Sequence, residues 1–282
     1  MRLFKKRKSP PFPLSLLGND NLVGALQGDT SSSFSFPVGK DSTGKYVFTN
    51  LQEYAHIIAA GQTGSGMAVF QDTMLVSLMY KNTPEELKLI LIDPKRVSLS
   101  PYKDSPYLQR PWIVDPEETK TAIDWLLLEI EQRFEVLTKS GDKDIFEFNS
   151  KHIEKMHSIL FVIDEIADLM MVNGKYYEES LVKIMQKSRA VGVMSFIGTH
   201  RAAEEVLPGL VRANSFVKIA FTLPAKEYSE FIIDEPGAEK LNGKGDLLFS
   251  SLALDSPHAV RLQAPYISNE NIMNVLKHIE SN

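Results

Sequence analysis

The chain has 282 residues, of which 43% are hydrophobic and 24% charged, enough to bury a large core and too patterned for a peptide-like or wholly disordered protein. With 31 Lys and Arg against 36 Asp and Glu, the formal net charge is -5, so no strongly basic field covers the molecule and any nucleic-acid contact must be local. Cysteine is absent, which excludes disulfides, thiol catalysis and thiolate-bound zinc and accords with a reducing, cytoplasmic setting.

Residues 1–37 read as a basic, Pro/Ser-rich tail or lead-in to a domain over 38–282. The start, Met1-Arg2-Leu3-Phe4-Lys5-Lys6-Arg7-Lys8, is basic; Pro10, Pro11 and Pro13 follow, and Ser31-Ser32-Ser33 is polar. The apolar stretch at 14–17 is too short for a signal peptide, and no run reaches the roughly 18 apolar residues of a membrane span. An intrinsic membrane span is therefore not expected. Turn chemistry in Lys40-Asp41-Ser42-Thr43-Gly44-Lys45 leads into Tyr46-Val47-Phe48, which predicts a small hairpin or edge strand.

Beyond this point short apolar runs alternate with helical periods. Strands are expected near 57–60, 89–92, 159–163, 193–197 and 217–221, and helices near 68–80, 116–138, 176–190, 226–233 and 269–280. The alternation predicts an α/β domain of three layers, α/β/α, with a mainly parallel central sheet. The charged, aperiodic stretch 139–157 reads as a surface loop.

The first of these strands runs into Gly61-Gln62-Thr63-Gly64-Ser65-Gly66-Met67-Ala68, and a helical pattern follows. In a phosphate-binding loop, glycines let consecutive backbone N–H groups face a phosphate, and a Lys followed by Ser or Thr then contacts the terminal phosphates and magnesium. The glycines are present, but Met67 and Ala68 stand where the charge and the hydroxyl belong. The backbone can still attract an anion; fast hydrolysis is not expected. A second signal is Ile159-Leu160-Phe161-Val162-Ile163-Asp164-Glu165, an apolar strand closing on two carboxylates, of which Asp164 is the candidate to hold magnesium through a bound nucleotide. Arg189, Arg201 and Arg212 follow predicted elements and are placed near the sheet's C-terminal side, where an arginine could meet a phosphate or stay in a surface ion pair. The six histidines show no metal-ligand spacing.

Together these segments resemble the motor core of the FtsK/SpoIIIE family of bacterial DNA-translocating ATPases. The resemblance runs from Gly39 to about Leu262, through Leu91-Ile92-Asp93-Pro94-Lys95, Ile163-Asp164-Glu165-Ile166-Ala167-Asp168-Leu169-Met170, Gly198-Thr199-His200-Arg201 and Gly243-Lys244-Gly245-Asp246-Leu247-Leu248-Phe249. It implies a RecA-like P-loop NTPase fold, ATP and Mg2+ bound at 61–68, a catalytic pair Asp164 and Glu165, and Arg189 and Arg201 as further catalytic candidates. It also implies a homo- or hetero-hexameric ring around duplex DNA, with weak, non-specific DNA contact and no assignable DNA-binding residues. Three departures matter. Lys and Ser of the loop are Met67 and Ala68, the family's Gln-Arg-Pro reads His200-Arg201-Ala202, and a family arginine appears as Glu230. Two readings stay open: a translocase domain with impaired ATP hydrolysis, or a non-catalytic scaffolding subunit that assembles with an intact relative.

Overall fold

The apolar run ahead of the glycine-rich turn is a strand with parallel neighbours on both sides, and the rest of the fold is arranged around it. A computed structural model describes residues 10–29, 32–254 and 256–281; the basic start of the chain lies outside them. In chain order the elements are α1 (Leu22–Gly28), β1 (Ser35–Lys40), β2 (Tyr46–Asn50), β3 (His56–Ala60), α2 (Met67–Lys81), β4 (Leu87–Ile92) and α3 (Pro116–Ser140). Then follow α4 (Ile145–Lys151), β5 (Ser158–Ile163), α5 (Ile166–Lys187), β6 (Val193–Thr199), α6 (Gly209–Ala213), β7 (Val217–Ala220), α7 (Lys226–Ile233), β8 (Asp246–Ser251), β9 (Val260–Gln263) and α8 (Asn269–Glu280).

Among the described residues nine strands join one sheet in the order β2-β1-β9-β8-β7-β3-β6-β5-β4. The five strands expected from apolar runs form its parallel part, β7-β3-β6-β5-β4. The other four pair antiparallel, so the sheet is mixed, with the expected hairpin β1-β2 at its far edge. Strands β3, β5 and β6 are buried along their whole length, as parallel strands covered by helices on both faces must be. Their side chains alternate between two cores. Ile57, Ala59, Leu160 and Val162 join α2 and α8 on one face, whereas Ile58, Ala60, Ile159 and Phe161 join α3 and α5 on the other.

Helix boundaries follow local chemistry. Asp115 accepts from the N–H groups of Glu117 and Glu118 at 2.8 and 3.3 Å, Pro116 takes the first helical position, and Gly141 at φ 75° closes α3. Two expectations change for similar reasons. The loop expected over 139–157 contains α4, because Asp144 caps Phe146 and Glu147 at 2.9 and 2.8 Å and Lys151 bridges Asp142 and Glu147 at 2.7 and 2.8 Å. Helix α5 begins at Ile166 rather than near 176. Its periodicity is interrupted at Asn173, whose backbone leaves the helical region at φ -153°, ψ 67°.

The expected division at 37/38 runs through β1. Much of the described lead-in is folded rather than tail-like, with Phe12, Leu17, Leu22 and Leu26 buried in the core shared with α8. Asn271 on α8 fixes this segment by donating to the Leu17 carbonyl at 2.8 Å and to Asp20 at 2.7 Å.

Strand β6 ends in a close approach that only glycine allows. A Cβ on Gly198 would lie 2.5 Å from the Asp164 carbonyl oxygen and 3.3 Å from that of Ile163, both backbone atoms that cannot turn aside. Gly198→Ala is therefore expected to lower stability by about 1–3 kcal/mol, the usual range for overpacking a core. Urea unfolding monitored by circular dichroism tests this, and an unchanged midpoint would show that β5 and β6 have room to separate.

Candidate functional site

The turn between β3 and α2 is held at both ends by backbone bonds. Gly61 N–H donates to the Thr199 carbonyl at 3.2 Å, Gln62 N–H to the Thr222 carbonyl at 2.9 Å, and Ser65 N–H closes on the Gln62 carbonyl at 3.0 Å. Gly64 and Gly66 take φ of +80° and +103°, conformations that admit glycine without strain. A Cβ on Gly66 would meet Gly245 N at 2.3 Å, so the loop is also wedged against the segment before β8. Gln62, Thr63 and Gly64 are exposed, while Ser65 is buried with its Oγ unpartnered. The result is a curled backbone opening onto the N-terminus of a 15-residue helix, the geometry that receives a phosphate. Met67 begins α2 and is buried in the apolar core, whereas Ala68 is exposed. Neither supplies a charge or an oxygen.

Strand β6 stands between β3 and β5, and its end links the loop to the acidic pair. Thr199 accepts from Gly61 N–H through its carbonyl and donates through Oγ1 to Glu165 Oε1 at 2.7 Å. His200 donates its backbone N–H to Glu165 Oε2 at 3.0 Å, and its Nδ1 lies 2.7 Å from the Gly61 carbonyl. A carbonyl only accepts, so Nδ1 carries the proton. Glu165 also caps α5 through Ala167 N–H at 3.1 Å and pairs with the half-exposed Lys95 at 3.3 Å. Its carboxylate thus receives four hydrogen bonds while buried.

Asp164 is buried beside it, and its carboxyl is pushed up to about 6, first by burial and then by the charge of Asp93; a Ser98 hydrogen bond and His200 act in the opposite direction. Asp93 is fully buried, with one oxygen accepting from Leu99 N–H at 3.0 Å and the other unpartnered. Across from them on α2, Asp72 accepts from the Tyr102 hydroxyl at 2.9 Å and is pushed up to about 7, chiefly by burial, with the Asp164 charge adding to it. The sequence reading did not single out Asp72. Its signal was the single carboxylate of α2, one turn after Ala68.

The arginines separate. Arg201 lies beyond the end of β6, near the loop, with its N–H on Thr199 Oγ1 at 3.0 Å and its guanidinium on Glu205 at 2.5 Å. Arg189 does not sit at the sheet's C-terminal side as expected. It precedes β6, so it lies at the opposite edge, where it donates to the Glu53 carbonyl at 3.2 Å. Arg212 also precedes its strand, β7, and is a structural clamp on Glu204, at 2.6 Å, and on the ring and carbonyl of Phe231. Glu230 is exposed on α7. Among the described residues no group of three or more His, Asp or Glu is arranged to hold a metal ion, and no helix is long and apolar enough to cross a membrane.

Residues 22–204 match the model of the FtsK/SpoIIIE family. The chain is 41% identical over 257 residues to the DNA translocase SftA of Bacillus subtilis, covering 89% of this chain and 27% of that protein. It is 35% identical over 274 residues to the DNA translocase FtsK of Haemophilus influenzae, covering 88% of this chain and 51% of that one. It therefore spans between about a quarter and about half of the length of these relatives. Among solved structures, the pCW3 conjugation coupling protein TcpA, in a monomer form with ATPgS, superposes with a TM-score of 0.78 at 25% identity, over 96% of this chain and 75% of that one. EssC (ATPases 2 and 3) from Geobacillus thermodenitrificans gives a TM-score of 0.78 at 19% identity, over 90% of this chain and 49% of that one. The fold is thus that of the α/β P-loop NTPases of the RecA-like group, with a mixed sheet flanked by helices.

The raised Asp164 carboxyl has a consequence for stability. The folded protein holds this proton more tightly than the unfolded chain, so its contribution is full below about pH 4 and is lost as pH rises through about 6. Asp164→Asn removes that loss. The variant should gain on the order of 2–3 kcal/mol over wild type between pH 4 and pH 8. Urea midpoints at the two pH values measure the change, and a difference independent of pH would contradict the assignment.

Proposed function

Because the chain belongs to the FtsK/SpoIIIE family, we propose that it is a translocase-type motor unit that binds ATP weakly through the backbone of Gly61–Ala68 and hydrolyses it at a greatly reduced rate. One observation carries this reading: the phosphate loop keeps its full backbone geometry around two residues, Met67 and Ala68, that lack the charge and hydroxyl of a working site. In this reading the exposed residues Gln62, Thr63 and Gly64 line the approach, and the N–H groups at the start of α2 face the phosphates. Magnesium would arrive with the nucleotide and be met on the protein side by Asp164, without the hydroxyl that Ala68 lacks. The residues fit a nucleotide's phosphates well and a metal ion poorly.

Glu165 and Arg201 are the proposed catalytic residues that lie near the loop; Arg189, at the far edge, would act only across a subunit boundary. Duplex DNA and a ring of six subunits are proposed by kinship with the translocases. With a net charge of -5, DNA contact should be weak, indifferent to sequence and steeply weakened by salt, as fluorescence anisotropy would register. The second reading, a scaffolding subunit beside an intact relative, is favoured by the exposed Glu230, which reverses a family charge on the surface of α7.

Calorimetry with Mg-ATP tests the nucleotide reading. Wild type should bind weakly. Met67→Lys with Ala68→Ser should tighten binding roughly tenfold to a hundredfold, the worth of a charge-assisted hydrogen bond, and each change alone should do less. Because Met67 is buried, the double variant should melt lower without ligand and rise more with it. Equal affinity in wild type and double variant would contradict the reading.

A further inference from the structure

The segment before β8 packs directly against the phosphate loop. Gly243, Lys244 and Gly245 take φ of +77°, +54° and +88°, three left-handed residues in succession, of which only the middle one has a side chain to strain. The segment is fastened to the loop. Gly245 N–H donates to the Ser65 carbonyl at 2.8 Å, and a Cβ on Gly66 would lie 3.0 Å from the Lys244 carbonyl carbon. It is also fastened behind. The Lys244 carbonyl accepts from Gln263 Nε2 at 2.8 Å, the Gly245 carbonyl from Ala264 N–H at 2.8 Å, and Asp246 accepts from Asn242 N–H at 2.8 Å and is gripped by Arg261. The backbone of Lys244 is thereby held against the start of α2. Its side chain is exposed and has no ion pair among the described residues. A non-glycine residue held at positive φ costs conformational energy, and such positions concentrate at ligand sites.

We propose that Lys244 is a phosphate-binding residue of this site, supplying from the adjoining segment the positive charge that Met67 cannot. Its flexible four-carbon stem starts beside Gly66, where an ammonium can meet the terminal phosphates of a nucleoside triphosphate. Ser65 adds to the case, because its buried Oγ has no partner among the described residues and lies against Gly61 of the same loop. The inference rests on the reading of 61–68 as a nucleotide site and identifies the cation within it.

The test is calorimetric titration of Mg-ATP and of AMP into wild type, Lys244→Met, Lys244→Gly and Lys244→Arg, with Lys277→Met on α8 as a control for net charge. Lys244→Gly removes the charge and relieves the left-handed strain, so it should keep or raise the melting temperature and separate lost charge from lost folding. Both Lys244→Met and Lys244→Gly should weaken ATP roughly tenfold or more while leaving AMP nearly unchanged, with Lys244→Arg and Lys277→Met close to wild type. Adding Met67→Lys to Lys244→Met should restore ATP binding. Unchanged ATP affinity in both neutral variants would overturn the role of Lys244 and leave the nucleotide site standing. Absence of any ATP binding by wild type would overturn the site and this proposal with it.

Discussion

The end of β6 holds the site together. Through Thr199 and His200 it bonds on one side to the N–H and carbonyl of Gly61 and on the other to both oxygens of Glu165. A hydrogen bond to a charged group contributes roughly 1.5–3 kcal/mol net, and leaving a buried carboxylate without partners costs more than is gained by making them. The phosphate loop and the acidic pair are therefore fixed to each other by the protein itself, with no nucleotide needed. Glu165 also caps α5, and the Asp164 carbonyl is packed under Gly198. A chain that had lost its hydrolytic chemistry would still need these residues to fold, which explains how an intact acidic pair coexists with Met67 and Ala68.

That coexistence has an electrostatic consequence. In a working loop a lysine would stand at the start of α2. Here Met67 stands there, buried, Asp164 feels the charge of Asp93 and Asp72 that of Asp164, and the half-exposed Lys95 pairs with Glu165. Burial raises both Asp72 and Asp164, with the Asp164 charge adding to the first and the Asp93 charge to the second, so like charges in this site already oppose one another before a phosphate approaches. A charge brought in from the segment around Lys244 completes the same arrangement from another direction.

The parts of this structure readable from sequence were those encoded locally. The five parallel strands are continuous apolar runs because both their faces are covered, and the phosphate loop announces itself through glycines that its turn requires. What could not be read depends on contacts distant in the chain. Strands β8 and β9 pair antiparallel and are only partly buried, so neither is a continuous apolar run, and the first half of α5 is hidden by the break at Asn173. The packing of Leu17 and Leu22 depends on α8, some 250 residues later. Arg189 was misplaced because an arginine between a helix and a strand was assigned to the strand's far end, although the chain had not yet crossed the sheet. The bridge through Thr199 was invisible because β6 being interposed between β3 and β5 is a property of topology alone.

The central claim is that an intact scaffold surrounds a chemically depleted phosphate loop. Phosphate release by wild-type protein at saturating Mg-ATP, with and without long duplex DNA and over a range of protein concentrations that includes the assembled state, tests it most directly. The account predicts turnover far below the roughly 1 s⁻¹ floor of ordinary enzyme rates and no stimulation by DNA. DNA-stimulated release at ordinary motor rates, abolished by Glu165→Gln, would contradict it.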